Sequence, residues 1–155
     1  MSTGPDRAGP PGAPPVGFGV GVTGLAHVGL VVEDLEAAGT SLARLLGPPR
    51  ESRALPEVGL EAKVFKVGSA AVEVLRFRGP VPGIDPRVTR ARQGIHHVAF
   101  RVRDLAAILE RLARAGLRPL EGFPRPGLHG PIAFVRDPAS GALVELVQGE
   151  GGRGG

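Results

Sequence analysis

Cysteine, tyrosine and tryptophan are missing from this chain, and lysine stands only at positions 63 and 66. Without cysteine there can be no disulfide, no thiolate metal site and no cysteine nucleophile, and the redox compartment is left open. Aromatic hydrocarbon is confined to six phenylalanines. The stacking residues of a nucleic-acid face are therefore lacking, and the arginines are dispersed rather than clustered. A net charge of +4 suits attraction to an anionic small molecule. Long apolar runs are lacking too. The stretch from Val16 to Val32 is broken by glycines and a histidine, so it does not read as a membrane span. No charged segment followed by an apolar core marks a secretory signal. No phosphate-binding Gly-Lys loop, dinucleotide fingerprint, Ser-His-Asp set or zinc-finger spacing occurs. A cytoplasmic protein without nucleic-acid or membrane partners is expected.

What the chain does have is a pattern said twice. Residues 27–35 read HVGLVVEDL and residues 97–105 read HVAFRVRDL. His27 and His97 open these segments, and Asp34-Leu35 matches Asp104-Leu105 at the same offset. Later in each half a carboxylate interrupts an apolar run, Glu73 in AVEVL and Glu145 in LVELV. Residues 1–19 and 149–155 are rich in Pro, Gly and Ala or in Gly, and read as flexible tails around one domain over 20–148. The 42% apolar content is enough for a real core. The domain is built from repeats at about 24–77 and 95–148.

Local patterns assign the elements. Gly24–Val32 reads as a buried strand. Asp34 caps a helix through Leu46 that Gly47-Pro48-Pro49 stops. Strands follow over Glu51–Ala54, Ala62–Val67 and Ala71–Phe77, then a Pro- and Gly-rich linker over Arg78–Gly94. The second half repeats the order. Ile95–Val102 is a strand, and Asp104 caps a helix through Ala115 whose Leu105, Ile108, Leu109 and Leu112 share one face. Strands are predicted over Arg118–Phe123, Pro131–Val135 and Leu143–Val147, with Pro124–Gly130 a loop. Each half is β-α-β-β-β. The expected class is α+β, with the tandem modules forming one curved mixed sheet, helices outside and a cleft within.

A polar residue inside a strand-like apolar run is costly unless satisfied. Taken singly, each of the four is more often a hydrogen-bonded structural histidine or a solvated strand glutamate than a ligand. Glu73 has a further alternative, a salt bridge to Arg76 or Arg78. Taken as a repeat-related set, His27, Glu73, His97 and Glu145 match a divalent-metal site, because imidazole and carboxylate together neutralise and suit M²⁺. His96 alternates to the opposite strand face from His97 and reads as structural. His129 and Gly130 sit in a loop expected beside the cleft, where His129 either touches substrate or is simply solvated. Arg125 and Arg136 read first as surface arginines, and otherwise as holders of a cofactor phosphate.

The His, Glu, His, Glu pattern on tandem βαβββ units resembles the vicinal oxygen chelate superfamily, which includes glyoxalase I, bleomycin resistance proteins and dioxygenases. LPEVGL at 55–60, QGIHHVAF at 93–100, PRPGLHG at 124–130 and ALVELVQ at 142–148 are most similar to its methylmalonyl-CoA epimerase family. The resemblance implies a metal-dependent enzyme that removes and returns the α-proton of an acyl-CoA thioester. It implies Glu145 as a metal-bound base, Co²⁺ as the favoured ion with Mn²⁺, Ni²⁺, Zn²⁺ or Mg²⁺ compatible, and a homodimer. Some relatives carry a glutamate where this chain has Ala62; the neighbouring Glu61 should point the other way. The chain also departs from the epimerase pattern at Val58 and at Arg136-Asp137-Pro138. A glyoxalase I-type lactoylglutathione lyase and a metal-free binding protein of the same fold are the alternatives carried forward; a ring-cleaving dioxygenase ranks below them.

Overall fold

The computed structural model describes residues 21–89 and 92–149. The tails read at 1–19 and from 150 onward lie outside the described residues. The elements, in chain order, are β1 (Val22–Val31), α1 (Leu35–Leu46), β2 (Glu51–Leu55), β3 (Leu60–Val67), β4 (Ala70–Phe77), α2 (Pro86–Thr89), β5 (Gly94–Val102), α3 (Leu105–Arg114), β6 (Arg125–Gly127), β7 (Gly130–Arg136) and β8 (Leu143–Gln148). All eight strands form one sheet in the order β2-β3-β4-β1-β5-β8-β7-β6. Each half contributes four neighbouring strands, and the halves meet at the antiparallel β1–β5 pair. Within each half the first and last strands are parallel, β1 with β4 and β5 with β8. A parallel pair needs a long crossover connection, which the helix and intervening strands supply.

The helices begin where a side-chain oxygen can serve an orphan amide. Asp34 accepts from the Ala37 N–H at 2.9 Å and Asp104 from the Ala107 N–H at 3.0 Å, the expected N-cap geometry. A second side chain, Gln148 at the end of β8, accepts from the Leu105 N–H and ties α3 to the sheet. The predicted apolar face of α3 is the one buried: Leu105 and Ile108, with Leu109 and Leu112 beside them, pack on Val102, Ala133 and Leu146. A second core of Val31, Val58, Leu60, Ala62, Leu75, Ile84, Val88 and Phe134 gathers on the cleft side of the sheet. No helix among the described residues is long and apolar enough to cross a membrane.

Two expectations need correcting. Arg118–Phe123 is not a strand. Pro119 has no N–H, and the segment contributes one ladder-like bond, Leu120 N–H to the Phe134 carbonyl, before Gly122 turns it away at φ +91°. The strand of that position is β6, inside what reads as the 124–130 loop. There Arg125–Gly127 pairs with β7 in a tight hairpin closed by Gly127 and Gly130. Gly127 is required at this place, since a Cβ would sit 2.7 Å from Ile132. The 78–94 linker is described except at 90 and 91. It holds α2 and sends Ile84 and Val88 into the core.

Candidate metal centre

Strand register explains how four distant polar residues meet. Across the sheet one row reads Ala71 (β4), His27 (β1), Ala99 (β5), Glu145 (β8). Two residues along, and so on the same face, Glu73 (β4), Gly29 (β1) and His97 (β5) form the next row. Each row places a large polar side chain beside a small residue of the facing strand. Gly29 is the tightest case. A Cβ there would lie 2.3–2.9 Å from three atoms of the His97 ring, so the ring occupies the space that any other residue would fill. Ala99, fully buried, leaves room in the same way between His27 and Glu145.

All four side chains are buried, at 4–6% exposure. His27 Nε2 lies 2.7 Å from Glu145 Oε2, His97 Nε2 lies 3.0 Å from the same oxygen, and the two Nε2 atoms are 2.9 Å apart. One ligand atom each from His27, His97 and Glu145 falls within 4.8 Å of the others. Glu73 stands just outside this trio, with Oε2 3.3 Å from His27 Nε2. The alternative salt bridge from Glu73 to Arg76 or Arg78 does not form. Those arginines turn to Glu61 on the outer face, at 3.6 and 4.0 Å, as alternation predicts for Glu61.

The electrostatics follow from crowding. Burial pushes the Glu145 carboxyl up, but hydrogen bonds and charge from His27 and His97 outweigh it and bring the group down to about 2. Burial likewise works against the His27 imidazolium. The hydrogen bond and charge of Glu145, then the charge of Glu73, reverse that and raise His27. Two imidazole nitrogens facing one carboxylate oxygen, with a second carboxylate adjacent, suit a divalent first-row ion better than a lone proton. The donor set is uncharged overall with M²⁺ in place when both carboxylates are ionised.

His129 occupies the β6–β7 turn. Its Nε2 lies 2.6 Å from Glu51 Oε1 and its Nδ1 3.5 Å from Glu73 Oε1. The imidazole is raised to about 9, first by Glu73, with burial opposing and Glu51 adding. Glu51 is a residue that sequence reasoning missed. It sits in a short half-exposed strand with no local pattern, and only the hairpin brings it to His129. Arg53 secures the same turn by donating to the Leu128 carbonyl. Gly130 has no room for a side chain, since a Cβ would lie 2.8 Å from the Gln148 carbonyl oxygen.

His96 is not on the face opposite His97. The β1–β5 register shifts between Gly29 and Leu30, whose partners are His97 and Ile95, so His96 is the extra residue of a bulge. The bulge turns its ring against His97 at 5.0 Å and against Phe77 at 5.6 Å. Burial, then the adjacent His97, pushes the His96 imidazole down to about 4.

The polar cluster lies at the base of a cleft with about 640 Å³ of empty space counted to its open mouth. Its walls are largely apolar, including Leu55, Leu60, Phe77, Ile84, Phe123 and Phe134, with Thr89, Arg125 and His129 the polar residues beyond the cluster. Arg125 is half-buried on the cleft, whereas Arg136 is exposed outside it.

Comparison with known proteins agrees with this geometry. The sequence profile of the Glyoxalase/Bleomycin resistance protein/Dioxygenase superfamily matches residues 26–135. An ethylmalonyl-CoA/methylmalonyl-CoA epimerase of Cereibacter sphaeroides is 34% identical over 134 residues, covering 80% of this chain and 96% of the relative. The mitochondrial methylmalonyl-CoA epimerase of Homo sapiens is 31% identical, covering 80% of this chain and 73% of its own. The crystal structure of methylmalonyl-CoA epimerase from Mycobacterium tuberculosis superposes with a TM-score of 0.69 at 29% identity, covering 84% of this chain and 90% of that one.

Proposed function

This chain belongs to the glyoxalase/bleomycin resistance protein/dioxygenase superfamily, and from that premise we propose that it is a metal-dependent epimerase of methylmalonyl-CoA or a close 2-alkylmalonyl-CoA thioester. The observation that carries the reading is the convergence of His27, His97 and Glu145 within 4.8 Å at the base of an apolar cleft. Similarity to epimerases over four-fifths of the chain supplies the substrate class. His27, His97 and Glu145 would hold a divalent ion, with Glu73 as the fourth ligand; Co²⁺ is favoured by the family resemblance, and Mn²⁺, Ni²⁺, Zn²⁺ and Mg²⁺ suit the same donors. When bound, that ion supplies Lewis acidity to the substrate oxygens as negative charge develops at the α-carbon.

The chain's own residues divide the remaining work. Glu145 is ionised at neutral pH, with its group held at about 2, and accepts the α-proton. Epimerisation returns a proton on the other face, so a second group is needed. We assign that role, and pairing with the substrate carboxylate, to His129: it lines the cleft, pairs with Glu51 and Glu73 rather than with Glu145, and has its pKa raised to about 9. Gly130, also expected to touch substrate, ends the same turn against the Gln148 carbonyl and is not among the residues that line the cleft. The apolar wall around Leu60, Phe77 and Ile84 receives the small alkyl substituent and keeps water from the exposed carbanionic carbon. A cytoplasmic homodimer accompanies this reading, and sedimentation of the purified protein tests the dimer.

The deciding experiment is α-proton exchange of methylmalonyl-CoA in D₂O, followed by NMR. Exchange is expected with metal-loaded protein and not with chelated protein or with His97→Ala. No exchange in a sample shown to contain metal would sink this substrate and direct the assay to glutathione hemithioacetals.

A further inference from the structure

Neighbouring residues of a regular strand point to opposite faces, so their rings cannot meet. The bulge in β5 breaks that rule at the metal centre. Because Gly29 pairs with His97 and Leu30 with Ile95, His96 is unpaired and its ring swings toward His97. The two rings stand 5.0 Å apart at 82°, and their Nδ1 atoms are 2.7 Å apart. At that distance one nitrogen carries a hydrogen and the other accepts it.

With a divalent ion on the Nε2 side, which nitrogen carries it is fixed by the other side of the ring. His97 Nε2 faces His27 and Glu145. To offer a lone pair there, the neutral imidazole must hold its proton on Nδ1. His96 Nδ1 then accepts, and its own proton resides on Nε2. That Nε2 is buried and makes no hydrogen bond of good geometry, while the nearby backbone of Arg87 and Val88 favours a proton on the ring. The Phe134 ring stands 5.2 Å from His97 on another side, and Gly29 lies beneath the ring.

We propose that His96 is a positioning residue for the metal centre, accepting the Nδ1–H of His97 so that His97 presents Nε2 as a lone pair. Ligating histidines usually give this hydrogen to a carboxylate or carbonyl. Here Glu73 and Glu145 already match the charge of a divalent ion, and a third buried carboxylate would leave the site with uncompensated negative charge. A neutral imidazole accepts without adding charge. The bulge is the device that brings it there, in keeping with the tendency of bulges to re-aim side chains beside functional sites.

The inference rests on the reading that His27, His97 and Glu145 hold a metal, and its test uses Zn²⁺ alone. Long-range ¹H–¹⁵N NMR of the zinc-loaded protein should show His97 protonated at Nδ1 and His96 at Nε2. Competition with a chelator should show His96→Leu binding zinc about 10- to 100-fold more weakly. His96→Asn, whose Oδ1 can accept near the place of Nδ1, should recover all but a few-fold of that loss, roughly within the scatter of such substitutions. Zinc binding by His96→Leu within about twofold of wild type, or a proton on His96 Nδ1 in the zinc-loaded protein, would overturn the role. If His96→Leu does not fold, the wild-type tautomers and the asparagine variant decide the question. None of these readouts needs catalysis, so a failed exchange assay with zinc bound would remove the epimerase reading and leave this one standing.

Discussion

Gly29 shows how much one missing Cβ does. It lies between Glu73 and His97 in register, and the His97 ring rests in the space above it. Its backbone is ordinary strand, so Gly29→Ala is compatible with the fold locally, but the methyl group and the ring cannot coexist. The ring must leave, at a cost of about 1–3 kcal/mol for overpacking, and the cluster loses one of its two imidazoles. Metal titration of Gly29→Ala should show affinity reduced by two orders of magnitude or roughly more, with a folded circular-dichroism spectrum. His129 gives a pH prediction of definite sign. Its pKa is raised from 6.5 to about 9, so the stability it contributes is fully present below 6.5 and is lost as pH rises through about 9. In metal-free protein, the gap in Tm between wild type and His129→Gln should be widest near pH 6 and mostly gone by about pH 10. A gap that does not change over that range would rule out a charged His129. His27, Glu73, His97 and Glu145, which the structure brings together in one buried cluster, stood out in the sequence because the repeat supplied a second copy of each. Glu51 and His96 had no such copy. The first depends on a distant hairpin, and the second on a bulge that strand periodicity does not announce.

At the scale of elements, the helices were legible and the β6 region was not, for a physical reason. A helix closes its own hydrogen bonds, so Asp34, Asp104, Gly47 and the i, i+3, i+4, i+7 stripe of α3 mark it locally. A short edge strand takes its identity from its partner. Arg118–Phe123 contains residues that suit a strand, yet Pro119 and Gly122 spoil its pairing, while the unpromising Arg-Pro-Gly of β6 finds three partners in β7. The cap at Asp104 offers a clean test. Its side chain serves the Ala107 N–H at the exposed start of α3, and Asp104→Ala should cost about 1 kcal/mol. That corresponds to roughly 2–4 °C in Tm for a chain of this size. Metal affinity should not change, because α3 lies behind the sheet and touches none of the four cleft residues. A drop in metal affinity would mean that the sheet's curvature depends on α3 more than its packing indicates.

The whole molecule is organised around a seam. Each half carries one histidine on its first strand and one carboxylate on its last, and β1 against β5 brings the two halves' contributions into a single cluster. Neither half can complete the trio alone, so the site exists only when the seam is formed, and anything that binds there holds the two halves together. Protons compete with a metal for the same atoms. Glu145 is held at about 2, so it stays ionised through the accessible range, and its pairing contributes stability that is present above 4.5 and lost only as pH falls through about 2. His27 is raised above 6.5, so its pairing is present below 6.5 and is lost as pH rises through the raised value. It is therefore His27, not Glu145, that must release a proton before a metal can bind. The stabilisation by metal should accordingly be small at pH 5 and grow as pH climbs past the raised His27 value. With metal at 100 times its dissociation constant at high pH, binding contributes about 2.7 kcal/mol, or on the order of 5–10 °C in Tm. Thermal scans of metal-loaded and chelated protein from pH 5 to 9 should show that widening gap, and His97→Ala should show none at any pH. A gap independent of pH would place the ion elsewhere than on these histidines.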